Sequence, residues 1–251
     1  MQMGHNKIFF FINCINFPVI VLYIKYVLLD NAWPEIYIKW IPATLLLLQT
    51  GYFLAINRLF INQNKNSYHK YLMFGYIACI VGDILLIDHE KITYMFGMLA
   101  FFFSYLFFGL GRITNVPYHM RYIKREIMVG VILLLIVELC YMTFIISSAL
   151  NNNDYNDFYT IFAICVYSFV IMFCIFSNYV YLVMQQDLSA CFSLIGVILF
   201  AVSDCIIIMH DIRFQIIYLE IIGMILYWLG LIVLGCSVYY NKHTYVMIDI
   251  I

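Results

Sequence analysis

The sequence predicts an all-α, polytopic membrane protein of about eight transmembrane helices, with both termini cytosolic, from three observations. The first is composition. The 251 residues are 65% hydrophobic and only 11% charged, with a mean hydropathy of +0.95. Soluble domains carry about 25% charged residues, so this chain has too few to cover its surface in water. The second is run length: the apolar stretches are continuous and near the ~20 residues that cross a bilayer as a helix, unlike the short alternating segments of a membrane barrel. The third is the placement of lysine and arginine, which fall mostly on one side of the alternating spans.

In chain order the spans are expected at 8–29, 37–60, 71–88, 92–112, 127–149, 158–184, 189–209 and 214–240. The first run lacks a small-residue cleavage site and is read as a retained helix. Asp30 to Glu35, with Trp33-Pro34, has turn chemistry and separates it from the second span, which opens on Lys39-Trp40-Ile41-Pro42. A polar loop from Asn62 to His69 leads to the third span, and Lys91 precedes the fourth. Asn115-Val116-Pro117 begins a basic loop before the fifth span, and Asn151-Asn152-Asn153-Asp154 an acidic one before the sixth. Residues 185–188 join the sixth to the seventh, and Arg213 precedes the eighth. No linker is long enough to separate two domains, so residues 1–251 are read as a single multi-pass membrane domain.

One side of these spans holds Lys7, Arg58, Lys65, Lys70, Arg112, Arg121, Lys124, Arg125 and Lys242. The other holds Lys39, Lys91 and Arg213 against Asp30, Glu35, Asp88, Glu90, Asp154, Asp157 and Asp211. The positive-inside rule puts the first side, with both termini, in the cytosol. Lys25 falls within the first span and does not enter the count. Net charge is −1, with no basic patch of the kind that binds nucleic acid. The eight cysteines form no CxxC and lie mostly in apolar runs, which argues against a disulfide framework or a zinc site.

Four acids lie within spans: Asp83, Glu138, Asp204 and Glu220. An ionised group at a membrane helix centre costs roughly 2.5–3.5 kcal/mol on insertion scales, so each needs a reason. Asp83 and Asp204 share a local frame. Each follows a small residue (Gly82, Ser203) inside an apolar run, and His89-Glu90 lies as far past Asp83 as His210-Asp211 past Asp204. Six residues of helix put each aspartate about 9 Å from its histidine. The even number of intervening helices points both helices the same way, so the two acids are expected at equal depth, facing one cavity near the non-cytosolic side. Either a parallel duplication or local convergence accounts for the shared frame. Glu220 is close enough to Arg213 to pair, and Glu138 has no partner visible in the sequence. Tyr167 and Tyr227 lie deep enough to hydrogen-bond an acid or a lipid. No GxSxG, glycine-rich phosphate loop or HExxH occurs.

These residues resemble the lysoplasmalogenase (YhhN-like) membrane proteins. Lys39-Trp40-Ile41-Pro42 looks like the family's Lys-x-x-Pro opening, and Gly82-Asp83 with Leu85 and Leu86 is similar to its Gly-Asp motif. Gly97 to Phe101 matches Gly-x-x-x-Phe, and Gly196 to Asp204 resembles Gly-x-x-x-Phe-x-x-Ser-Asp, the most specific stretch. Phe214 and Met224-Ile225-Leu226-Tyr227 fit the last helix. The resemblance spans roughly residues 37–240. Two places depart from it. Tyr105 and Phe108 stand where the family commonly has His and then Tyr, and Leu231 ends Tyr227-Trp228-Leu229-Gly230-Leu231 where Tyr-Tyr-x-x-Gln is common.

The resemblance implies hydrolysis of the vinyl ether of a lysoplasmalogen, giving a fatty aldehyde and a glycerophospho-base. It implies Asp83 and Asp204 as the catalytic pair, with Lys39, Ser203, Tyr227 and Tyr105 binding or supporting, and neither metal nor cofactor. The expected partners are a lysophospholipid substrate and the bilayer, and the expected compartment is the endoplasmic reticulum. Elementary chemistry agrees: a vinyl ether opens by protonation at carbon, through an oxocarbenium ion that water captures. Two acids sharing one proton suit that division of labour, as in glycoside hydrolysis. A non-enzymatic lipid-binding protein or proton-coupled transporter remains the alternative, favoured by the two departures.

Overall fold

The computed structural model describes residues 39–61, 67–86, 91–116, 125–150, 158–210 and 216–248, with isolated positions between 15 and 25. Among the described residues the chain is all helix, without strands. The helices are α1 (Ile41–Ile61), α2 (Ser67–Leu85), α3 (Lys91–Ile113), α4 (Arg125–Leu150), α5 (Phe158–Gln185), α6 (Leu188–Met209) and α7 (Ile217–Ile248). They follow the second to eighth expected spans closely, except that α7 runs on past residue 240. The first expected span, 8–29, lies almost wholly outside the described residues. Among the described residues, five segments are long and apolar enough to cross a membrane: Ile92–Ile113, Ile127–Ser148, Ile161–Gln185, Leu188–Met209 and Tyr218–Val238.

The helices start and stop where local chemistry directs. Asp187 caps α6: its backbone is extended (φ −105, ψ 165), and its carboxylate accepts the Ala190 N–H at 2.7 Å. Such a side chain satisfies one of the amide donors left over at a helix start. The tight α5–α6 turn is made by Gln186, whose φ of 53° lies in the left-handed region.

Two helix pairs carry the bundle, α6 against α7 and α2 against α3. With lipid as solvent, helices associate by close packing, so small residues let backbones approach. At the α6–α7 crossing Gly196 faces Gly230. A Cβ on Gly196 would lie 2.9 Å from the Gly230 carbonyl oxygen, and a Cβ on Gly230 would lie 2.9 Å from the Phe200 backbone nitrogen. On α2, a Cβ at Gly82 would lie 2.7 Å from the Phe101 ring. The two pairs also repeat a contact. Gly97 packs on Leu86, three residues past Asp83, and Gly223 packs on Ile207, three residues past Asp204. Four residues beyond those glycines, Phe101 and Tyr227 meet edge to face at 5.9 Å. The correspondence around the two aspartates therefore extends to the helix that follows each of them.

At the end of the bundle away from the aspartates, Arg112 is fully buried. Its Nε donates to Ser193 Oγ (2.9 Å) and its Nη2 to the Ser189 carbonyl (3.1 Å), with the Tyr68 ring 3.6 Å from the guanidinium carbon. This ties α2, α3 and α6 at that end. α4 is the peripheral helix, its outer face lined by exposed Leu133, Leu135, Val137 and Leu139.

Because backbone rather than a movable side chain opposes a new Cβ at the α6–α7 crossing, Gly196→Ala and Gly230→Ala should each destabilise the protein by about 1–3 kcal/mol. Thermal melting in detergent checks this, and an unchanged melting temperature in both variants contradicts the crossing.

Candidate active site

The C-termini of α2 and α6 and the N-termini of α1, α3 and α7 meet at one end of the bundle. There a cavity of about 190 Å³ is lined by Asp83 and Asp204 together, with Lys39, His210 and Glu220 and with apolar Met98, Phe101 and Met224. The two aspartates, 121 positions apart in sequence, are both buried, Asp83 with 1% of its surface exposed and Asp204 with 9%. Asp83 lies within electrostatic range of both Lys39 and Asp204.

Tyrosine hydroxyls satisfy both acids. Tyr227 Oη, from α7, donates to Asp83 Oδ2 at 2.8 Å. Tyr105 Oη, from α3, donates to Asp204 Oδ2 at 3.0 Å, and Tyr167 Oη, from α5, donates to the same oxygen. A buried polar group without a partner costs about 1–3 kcal/mol, more when charged, so these hydroxyls are what the acids need in order to stay inside. The rings are held in turn. Tyr105 stacks on Phe200 with centroids 4.5 Å apart, and Phe200 also meets Phe101 and Tyr227. The glycines and Phe200 of these motifs are packing residues: Gly82 and Gly97 seat the α2–α3 seam, and Phe200 backs the Tyr105 ring.

The other site residues expected from sequence fall as follows. The Ser203 hydroxyl is bonded to neither carboxylate; it donates to the Gly223 carbonyl at 2.8 Å and ties α6 to α7 beside Asp204. Lys39 lines the cavity, and its carbonyl accepts the Trp228 indole N–H at 3.3 Å. His210 caps the end of α6 on the cavity, while His89 and Arg213 lie outside the described residues. Glu138 acquires a partner that sequence did not reveal, the Ser168 hydroxyl on α5.

The departures from the family pattern resolve differently. Tyr105 does not leave Asp204 short of a polar neighbour, because its own hydroxyl reaches the carboxylate. Leu231 is fully buried, and its carbonyl accepts the Tyr76 hydroxyl at 3.1 Å. Phe108 fills the space beside Gly75, edge to face with Tyr76. Tyr167 is the donor that motif reading left outside the site. Its depth in the sixth expected span was the only signal, since nothing in sequence aligns α5 with α6.

A helical membrane-type bundle with a hydrogen-bonded carboxylate pair in a cavity at one end is the class this geometry defines. The model of the YhhN family matches residues 34–238, and the chain belongs to that family, the family of lysoplasmalogenases. Neither a curated protein nor a solved structure matches the chain.

Tyr105→Phe and Tyr167→Phe keep the rings and remove the donors. Each should cost about 1–3 kcal/mol, and the double variant should depart from the sum by at least 0.5 kcal/mol because both hydroxyls use one oxygen. Melting of the two single variants and the double variant measures this; strict additivity would mean the two tyrosines do not share Asp204.

Proposed function

We propose that the protein is a lysoplasmalogenase-like ether hydrolase. It would cleave the alkenyl bond of a lysophospholipid to a fatty aldehyde and a glycerophospho-base. The observation that carries this reading is that Asp83 and Asp204, from separate helices, line one buried cavity, each under its own tyrosine. Family membership supports it.

The chemistry follows from the arrangement. A protonated carboxyl delivers its proton to the outer vinyl carbon, and the oxygen lone pair fills in to make an oxocarbenium ion. The second carboxylate faces that cation and takes a proton from the water that attacks the carbon bonded to oxygen. The hemiacetal collapses as the second acid, now protonated, gives its proton to the ether oxygen while the first, now a carboxylate, takes the proton of the hemiacetal hydroxyl. Its C–O bond breaks, the aldehyde forms, and each acid is returned to its starting state. Two hydroxyl donors converge on Asp204 Oδ2, as suits an acceptor that carries no proton, and one serves Asp83. Asp204 is accordingly assigned as the carboxylate and Asp83 as the proton donor. At about 190 Å³ the cavity is smaller than the ~300–1,000 Å³ of sites that enclose a whole ligand, which suits holding the reacting end while the chain lies in lipid.

In this reading the single domain spans the bilayer eight times with both termini cytosolic, which opens the cavity toward the non-cytosolic side. The endoplasmic reticulum is its proposed membrane.

Asp83→Asn and Asp204→Asn should each abolish aldehyde release from an alkenyl lysophospholipid while the folded protein still elutes as one species in detergent. Full turnover in both would refute the mechanism. The role assignment is tested by chemical rescue. Added formic acid should restore Asp83→Ala in its protonated form, and formate should restore Asp204→Ala as the anion; the reverse pattern exchanges the two roles.

A further inference from the structure

The carboxylate pair occupies only the inner part of the cavity. Its outer part is charged, and the reaction does not use those charges. Lys39 stands just before α1, Glu220 sits in the first turn of α7, and His210 ends α6, so three helix ends bring a cation, an anion and an imidazole to one rim. Charged groups at this level of a membrane bundle commonly mark a substrate pathway.

The depth of the rim is informative. His210 is six residues of helix beyond Asp204, about 9 Å, and Glu220 is seven residues from Tyr227, the donor to Asp83, about 10 Å. An extended chain advances about 1.2 Å per bond, so the seven bonds from the outer vinyl carbon of an alkenyl lysophospholipid to its phosphorus cover about 8 Å. Four further bonds carry an ethanolamine or choline nitrogen roughly 5 Å beyond that. With the vinyl ether at the aspartates, the phosphate therefore reaches the rim, and the headgroup nitrogen lies at or just outside it.

We infer that Lys39 and Glu220 form a headgroup clamp for a zwitterionic lysophospholipid, Lys39 taking the phosphate and Glu220 the ammonium. The inference rests on the reading of the cavity as the site of vinyl-ether cleavage, and it assigns two residues to recognising the headgroup there. Two features fit Lys39 to the task. Its backbone carbonyl is held by the Trp228 indole, adjacent in sequence to Tyr227, so the root of its side chain is tied to the helix that carries the Asp83 donor. It also lines the same cavity as Asp83, so a phosphate drawn to Lys39 shares that cavity with the acid. Glu220 supplies the opposite sign across the same rim, which favours a headgroup bearing both charges over one that is only anionic.

Binding is measured with uncleavable 1-O-alkyl lipids on the detergent-solubilised full chain, which separates the clamp from catalysis. Wild-type protein should bind alkyl-lysophosphoethanolamine at least about tenfold more tightly than the alkyl glycerol lacking the headgroup, the scale of one charge-assisted contact. Lys39→Gln should remove most of that gain, and Lys39→Arg should keep it, which excludes a folding defect as the cause. Glu220→Gln should leave phosphate recognition in place and erase the preference for the phosphoethanolamine lipid over alkyl-lysophosphatidic acid. Equal binding of the headgroup-free lipid by wild type, or Lys39→Gln that slows aldehyde release without weakening binding, overturns the clamp. Displacement of the lipid by inorganic phosphate alone assigns the rim to a free anion and overturns it as well. If the binding pattern holds while wild type releases no aldehyde from alkenyl lipids, the clamp stands and the hydrolase reading falls.

Discussion

Two carboxyl groups inside an apolar helical bundle are tolerable only if donors reach them, and among the described residues every donor is a tyrosine hydroxyl borrowed from another helix. Asp83 on α2 depends on Tyr227 of α7; Asp204 on α6 depends on Tyr105 of α3 and Tyr167 of α5. A hydrogen bond weakens steeply once its geometry slips, so the relative placement of five helices is coupled to the comfort of two acids. The close α6–α7 approach at Gly196 and Gly230 and the Phe101–Phe200–Tyr105–Tyr227 ring cluster hold those helices in position. Packing and polar satisfaction are one constraint in this molecule.

The bundle divides its polar groups between its ends. At one end Arg112 is held by Ser189, Ser193 and the Tyr68 ring. At the other, the aspartates border a cavity whose rim carries Lys39, His210 and Glu220. The first arrangement fixes the scaffold, and the second leaves room for a ligand.

Motif residues divide in the same way. Gly82, Gly97, Gly196, Phe200 and Ser203 belong to the stretches that resemble the family, yet each acts by packing or by a helix-to-helix hydrogen bond, while Phe101 both packs and lines the cavity. Only the aspartates carry the proposed chemistry. The change at Tyr105, which on sequence counted against retained activity, introduces a hydroxyl that reaches Asp204, whereas Leu231 at the corresponding point of α7 contributes only apolar bulk and its backbone carbonyl. The asymmetry leaves one acid with two donors and the other with one, and the proposed division of labour between them follows from it.

Helical class, span order and the singling-out of Asp83 and Asp204 were decided by the sequence itself, because in lipid a long apolar run has little choice but helix and a buried acid stands out against it. The shared frame of the two aspartates was also legible, since helix periodicity and direction carry a residue's depth. What faces what was not legible. Tyr167 reaching Asp204, Ser168 reaching Glu138, Ser203 turning to Gly223 instead of an acid, and the meeting of Lys39 with Glu220 at one rim all depend on helix rotation and crossing. Those are set by side-chain packing between segments far apart in the chain, and no local pattern records them.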